Sequence, residues 1–195
     1  DAMAVQEIFS STLPADPIGY KVARSPDGIA VVGRLWPLAL GENAAIAEFP
    51  WRDGVKIEVE IAVTLVSALP PRAEGYSQDE ILAAIGSVHL GIEVLDSRIA
   101  EGGKAPYLLF LADRLGNAGY ALGPAVPKDM LALNGEKQLV VRLGDTTIYD
   151  AEASHPTGNV MDWLSGWASK SAWSVARLRG AARYLPNSPL PGHQS

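Results

Sequence analysis

Residues 55–66 read VKIEVEIAVTLV, and the fold turns on them. β-Branched residues fill the stretch, and apolar side chains recur at Val55, Ile57, Val59 and Ile61, the period-2 pattern of a strand with one face on a core. Alternate residues of a strand project from one face, so Glu58 and Glu60 stand side by side opposite that apolar row. Two adjacent carboxylates repel, and there are two ways to relieve this. Solvent can screen them, which on spacing alone is the more economical reading, with Lys56 on the same face offsetting part of the charge. Alternatively, a hard cation with oxygen ligands sits between them.

Outward from this strand, short strands and hairpins dominate. Asp1–Thr12 reads as an amphipathic helix closed by Pro14 and Pro17, Ile18–Ala23 as a strand, Ser25–Gly28 as a turn, and Ile29–Leu40 and Ala45–Phe49 as short strands. Ser77-Gln78-Asp79-Glu80 is a capping box that opens a helix to about Ser87. His89–Val94 is a strand, Pro106–Leu115 a helix, and Ala118–Leu122 a strand closed by Gly123-Pro124. Leu131–Leu133 and Lys137–Leu143 form a hairpin about Asn134-Gly135, which Thr146–Tyr149 continues. Gly158–Lys170 is a helix with Val160, Trp163, Leu164 and Trp167 on one face. Strands and helices do not alternate regularly, so a strand-rich α+β fold is expected rather than a doubly wound one. Residues 1–185 form a single domain and 186–195 a tail without regular structure.

Composition narrows the function. The 195 residues carry a net charge of −6, and Arg177, Arg179 and Arg183 are the nearest approach to a basic cluster, so nucleic acid is not an expected partner. No cysteine is present, which removes thiolate ligands, Cys nucleophiles and disulfides together and fits a reducing cytoplasm. The first ten residues lack the basic start of a signal peptide, and no apolar run is long enough to span a bilayer. A third acid, Glu93, sits among Ile92, Val94 and Leu95. Burial there calls for a partner, either a base such as Arg98 or a metal. Three carboxylates without cysteine suit Mg²⁺ or Mn²⁺ rather than Zn²⁺.

Several stretches, taken in order, resemble the fumarylacetoacetate hydrolase-like superfamily, of the 2-keto-4-pentenoate hydratase / 4-oxalocrotonate decarboxylase type. Ile57–Leu65 (IEVEIAVTL) resembles its E-x-E-I-A strand, Gly91–Ile99 (GIEVLDSRI) its A-L-E-I-V-D-S-R-I segment, and Ala112–Gly123 (ADRLGNAGYALG) its A-D-N-x-S-x-G-x-Y-V-x-G segment. Gly19–Val22 (GYKV) and His155–Leu164 (HPTGNVMDWL) are weaker matches. The resemblance implies a mixed β-roll or barrel-like sheet with peripheral helices, usually oligomeric. It places metal ligands at Glu58, Glu60 and Glu93, an active-site lysine at Lys21, and substrate contacts at Asp113, Arg114 and Asn117. Without it, Lys21 would read as an ordinary strand-edge lysine. The implied activity is a Mg²⁺-dependent lyase, hydratase or decarboxylase, on a small 2-keto or 2-enol acid, with Lys21 moving the proton.

The sequence also departs from the pattern. Arg114 replaces a common Asn and is long enough to meet a second substrate carboxylate. Gly116 replaces a small hydroxyl residue. The final strands, with their G-D-I-V-x-T-G-S motif, are replaced by Ser171–Ser195 (SAWSVARLRGAARYLPNSPLPGHQS), so the C-terminal strands are expected to be missing or altered. Two alternatives follow. A C–C hydrolase of acylpyruvate or fumarylacetoacetate type would need a His–Glu pair, which is not evident near the N-terminal side. The altered C-terminus also suits a non-catalytic subunit paired with an intact paralogue.

Overall fold

The computed structural model describes residues 1–13, 17–37, 39–40, 47–49, 52–70, 72–132, 137–154 and 160–170. The 55–66 stretch forms β5 (Lys56–Leu65). It pairs antiparallel with β6 (Ile85–Leu95), which pairs in turn with β7 (Asn117–Val126) in the order β5-β6-β7. Around this sheet stand three two-stranded ladders: β1 (Gly19–Arg24) with β2 (Ala30–Leu35), β3 (Ala39–Leu40) with β4 (Ala47–Glu48), and β8 (Gln138–Leu143) with β9 (Thr146–Glu152). Among the described residues, four α-helices accompany them: α1 (Ala2–Ser11), α2 (Gln78–Ala84), α3 (Tyr107–Ala112) and α4 (Val160–Lys170). The strand-rich α+β expectation holds. The named strands pair antiparallel and, among the described residues, do not close into a barrel; the one parallel bridge joins Pro37 to Tyr120.

The main core takes Ile61 and Val63 of β5, Ile85 and Val88 of β6, Ile81 of α2, and Met161, Leu164, Trp167 and Ala168 of α4, with Val22 and Val32 from the β1–β2 hairpin. A second small core of Leu35, Ala62 and Tyr120 lies with the alternate residues of β5. The sheet is therefore covered on both faces, and the face bearing Glu58 and Glu60 is interior rather than solvated.

Several expected boundaries moved; β6 starts at Ile85 rather than His89, and α3 ends at Ala112 rather than Leu115. Helix α2 opens with the capping box, Ser77 and Glu80 each bonding the other's backbone N–H, but it stops at Ala84 rather than Ser87. Ile85 is already extended and pairs with Leu65, so ladder bonds displace the last helical turn. Strand β7 runs through Gly123-Pro124 to Val126 instead of ending there. Its register slips between Leu122 and Ala125, and β7 lies at the sheet edge among the described residues, where proline is tolerated. The hairpin forms at Gly144-Asp145, joining β8 to β9. Leu131 belongs to a 3₁₀ turn over Lys128–Leu131, and residues 133–136, with the expected Asn134-Gly135 turn, lie outside the described residues. Gly144 has φ 56°, the glycine-first geometry that suits the twist of a two-residue hairpin loop. The remainder of the C-terminal segment from 171, including the proposed tail, also lies outside the described residues.

Gln6, on α1, is fully buried. Its amide donates to the carbonyls of Leu111 (2.6 Å) and Val32 (3.2 Å), and its Oε1 accepts from the Arg34 N–H (3.3 Å). One side chain thus ties α1 to β2 and α3. Replacing it with alanine strands buried backbone groups, each worth about 1–3 kcal/mol when unmade. Gln6→Ala is expected to lower unfolding stability by about 3 kcal/mol, read from a shift of the urea midpoint at constant m-value.

Candidate metal centre

Strand β5 aims Glu58 and Glu60 inward, and the β5–β6 register sets Glu58 directly opposite Glu93. All three carboxylates are buried, at 0–1% exposure, and one oxygen from each lies within 4.8 Å of the others. The solvated-face reading of the E-x-E pair is thereby excluded. The Arg98 alternative for Glu93 also falls, because Arg98 bonds Asp113 instead.

The positive charge in the cluster comes from β1. Lys21 follows the strand alternation, with Val22 in the main core and its own side chain turned to the acids. Its Nζ, 1% exposed, lies 2.7 Å from Glu58, 3.8 Å from Glu60 and in hydrogen-bond contact with Glu93. Lys21 is therefore not an ordinary exposed lysine.

One ammonium among three carboxylates leaves two formal negative charges in a water-excluded volume. The strain is concentrated on Glu60. Neither of its oxygens accepts a hydrogen bond. Burial, and then the negative charge of Glu93, push its carboxyl well above the usual carboxylate range against the pull of Lys21. An all-oxygen donor set of three clustered carboxylates, with a buried Glu60 whose oxygens accept no hydrogen bond, fits a hard divalent cation of the Mg²⁺ or Mn²⁺ type.

Of the remaining expected site residues, Asn117 contacts the cluster directly. Asn117, fully buried at the start of β7, donates from Nδ2 to Glu93 Oε1 (3.0 Å) and accepts the Trp36 N–H at Oδ1 (3.4 Å). It orients a carboxylate. Asp113 receives the Ser97 hydroxyl (2.7 Å), the Arg98 N–H (3.2 Å) and the Arg98 guanidinium, closing the 96–99 loop onto the end of α3. Arg114 is buried between two rings, its guanidinium carbon 4.3 Å from the Trp36 centroid and 4.8 Å from that of Phe9. Desolvation lowers its pKa to about 10, which leaves it charged at neutral pH. None of these three lines the cleft described next. His89 is held at both ring nitrogens by Ser87 (2.8 Å) and the Gly123 carbonyl (2.9 Å). His155 and His193 lie outside the described residues.

An open cleft of about 510 Å³ reaches the cluster at Glu58. Leu95, Phe110 and Leu115 give it an apolar wall, and Ser97, Lys56 and Lys104 contribute polar groups. The wall depends on an unusual turn. Arg114, Leu115 and Gly116 all take positive φ (58°, 57° and 80°), a conformation costly for the first two. Gly33, paired with Lys21 across the β1–β2 hairpin, makes room for it: a Cβ there would meet the Arg114 carbonyl oxygen at 2.9 Å. Local sequence pattern does not mark the turn or the burial of Gln6. A glycine inside a strand pattern was the available sign of the close approach.

No protein-family profile and no curated sequence matches the chain. Among solved structures it is similar to 4-oxalocrotonate decarboxylase from Pseudomonas putida G7, complexed with calcium and acetate. The identity is 17% over 94% of this chain and 74% of that one, with a TM-score of 0.57. A second structure of that decarboxylase, complexed with magnesium and adipate, aligns over 68% of this chain and 54% of that one at 21% identity and a TM-score of 0.49. The chain thus shares the decarboxylase fold that the motif resemblance implied.

Two outcomes are expected. Lys21→Met removes the compensating charge from a buried cluster and should cost about 3–5 kcal/mol of stability in EDTA, a loss that added Mn²⁺ reverses in a thermal melt. Asn117→Ala frees the Glu93 carboxylate and should weaken Mn²⁺ binding by about 10–100-fold, the usual effect of losing a residue that orients a ligand, measured by titration calorimetry.

Proposed function

We propose that the protein is a divalent-metal-dependent lyase acting on a small 2-keto or 2-enol acid, as a decarboxylase or a hydratase. The observation that carries this reading is the buried Glu58–Glu60–Glu93 triad with Lys21 at its centre, opening at Glu58 onto a cleft of small-molecule size. The shared fold with a decarboxylase supports it.

Glu58, Glu60 and Glu93 would hold Mg²⁺ or Mn²⁺, which supplies a Lewis acid that polarises a 2-keto oxygen and stabilises the negative charge developing on it. Lys21 is the proton carrier: its Nζ is held against Glu58 and Glu93 within the cluster. Leu95, Phe110 and Leu115 exclude water from the apolar side of the substrate, which strengthens each charge interaction in the site. Asn117 keeps Glu93 turned to the centre, while Asp113 and Arg114 act on the substrate through the loop and the turn they hold. The C–C hydrolase alternative calls for a free histidine beside a glutamate. The histidine among the described residues, His89, has both nitrogens engaged, which favours the lyase reading.

The test follows the ultraviolet absorbance of a 2-hydroxydienoate and, separately, CO₂ release from an unsaturated 2-keto diacid, each with Mg²⁺ and with EDTA. Metal-dependent turnover of either substrate is expected, and the substrate consumed assigns hydratase or decarboxylase. Lys21→Ala should reduce kcat by about 10²–10⁴-fold with Mn²⁺ still bound. A wild type that binds metal but turns over neither substrate would sink the lyase reading and leave a non-catalytic subunit.

A further inference from the structure

Strand β6 carries a glycine at the position facing Glu60: the register pairs Glu60 with Gly91 and Glu58 with Glu93. Paired residues of adjacent strands send their side chains to the same face, with Cβ atoms about 4.5–5.5 Å apart. The place that a Gly91 side chain would take on the acid face is already filled. A Cβ built on Gly91 would fall 1.9 Å from the Tyr120 hydroxyl oxygen and within 3 Å of two of its ring carbons. Tyr120 comes from β7, where it pairs with Glu93. Its backbone is pinned by a 2.7 Å bond from its N–H to the Trp36 carbonyl, and its ring packs with Leu35 and Ala62. The side chain therefore crosses over β6 and delivers its hydroxyl beside Glu60, about 3–7 Å from the Glu60 Cβ. Glu60 is the carboxylate whose two buried oxygens accept no hydrogen bond.

We propose that Tyr120 is a positioning residue for the metal centre, its phenol O–H donating to the Glu60 carboxylate when a divalent cation occupies the triad. The inference rests on the metal reading above and adds a member to the site. The chemistry is that of ligand orientation. A carboxylate bound to a cation through one oxygen leaves its second oxygen buried, and a fixed donor satisfies it and holds the group in one rotamer. Asn117 does this for Glu93, and Tyr120 does it for Glu60. Gly91 is then required at its position because any larger residue occupies the space of the phenol.

The experiment compares wild type with Tyr120→Phe, which keeps the ring and its packing and removes the hydroxyl. Mn²⁺ affinity is read by calorimetry, and the tyrosine absorption band is read as a difference spectrum on adding Mg²⁺. Tyr120→Phe is expected to melt as wild type does in EDTA, to bind Mn²⁺ about 10–100-fold more weakly, and to lose a tyrosine difference band that the wild type shows. Gly91→Ala, which displaces the ring, is expected to weaken Mn²⁺ binding by at least as much. If wild type binds Mn²⁺ and Tyr120→Phe binds it equally well, this inference is overturned and the metal centre stands. If wild type binds neither cation, the metal reading falls and takes the inference with it.

Discussion

A single ammonium placed among three buried carboxylates is the constraint around which the rest of the molecule is arranged. Charges are expensive to remove from water, and like charges on adjacent strands are worse. The protein nevertheless puts Glu58, Glu60 and Glu93 on one interior face and brings Lys21 across from a separate hairpin to meet them. No apolar packing requirement produces such a cluster. The excess negative charge and the unbonded Glu60 oxygens are what a divalent cation would complete.

The surroundings are built to hold that cluster still. The β1–β2 hairpin carrying Lys21 is fastened to α1 and α3 through the buried Gln6 amide. Glu93 is held by Asn117, whose Oδ1 in turn accepts from Trp36. Arg114 lies between Phe9 and Trp36 and anchors a left-handed turn whose next residues, Leu115 and Gly116, line the cleft. Two adjacent non-glycine residues at positive φ are costly, and such strain persists only where neighbouring contacts over-determine it. Here the aromatic sandwich, the Asp113–Arg98 clasp and the space above Gly33 supply those contacts.

Arg114 shows how far a side chain's role depends on where its neighbours lie. As a cation standing in place of a small amide, it reads in the sequence as a group for a second substrate carboxylate. In the fold its guanidinium lies between two aromatic rings, and it is not among the residues lining the cleft. Asp113, expected at the substrate, is consumed by Arg98 and Ser97. The positive φ values at Arg114, Leu115 and Gly116 have no sequence sign beyond Gly116.

Local pattern determined a good deal. The E-x-E spacing on an alternating strand necessarily put Glu58 and Glu60 on one face, because strand geometry has a period of two. The capping box at Ser77–Glu80 set the start of α2, because its bonds close within four residues. What only the tertiary structure decided was which face became the interior and what met it there. Whether a carboxylate is solvated or buried depends on elements distant in sequence: Lys21 lies 37 residues from Glu58 and 72 from Glu93, and Asn117 lies 24 beyond Glu93. Helix ends gave way to strand pairing at Ile85 for the same reason, since bonds to a distant strand outweighed the local preference. Charge burial, ligand orientation and cleft shape are properties of such long-range contacts, and a residue's own neighbours along the chain do not encode them.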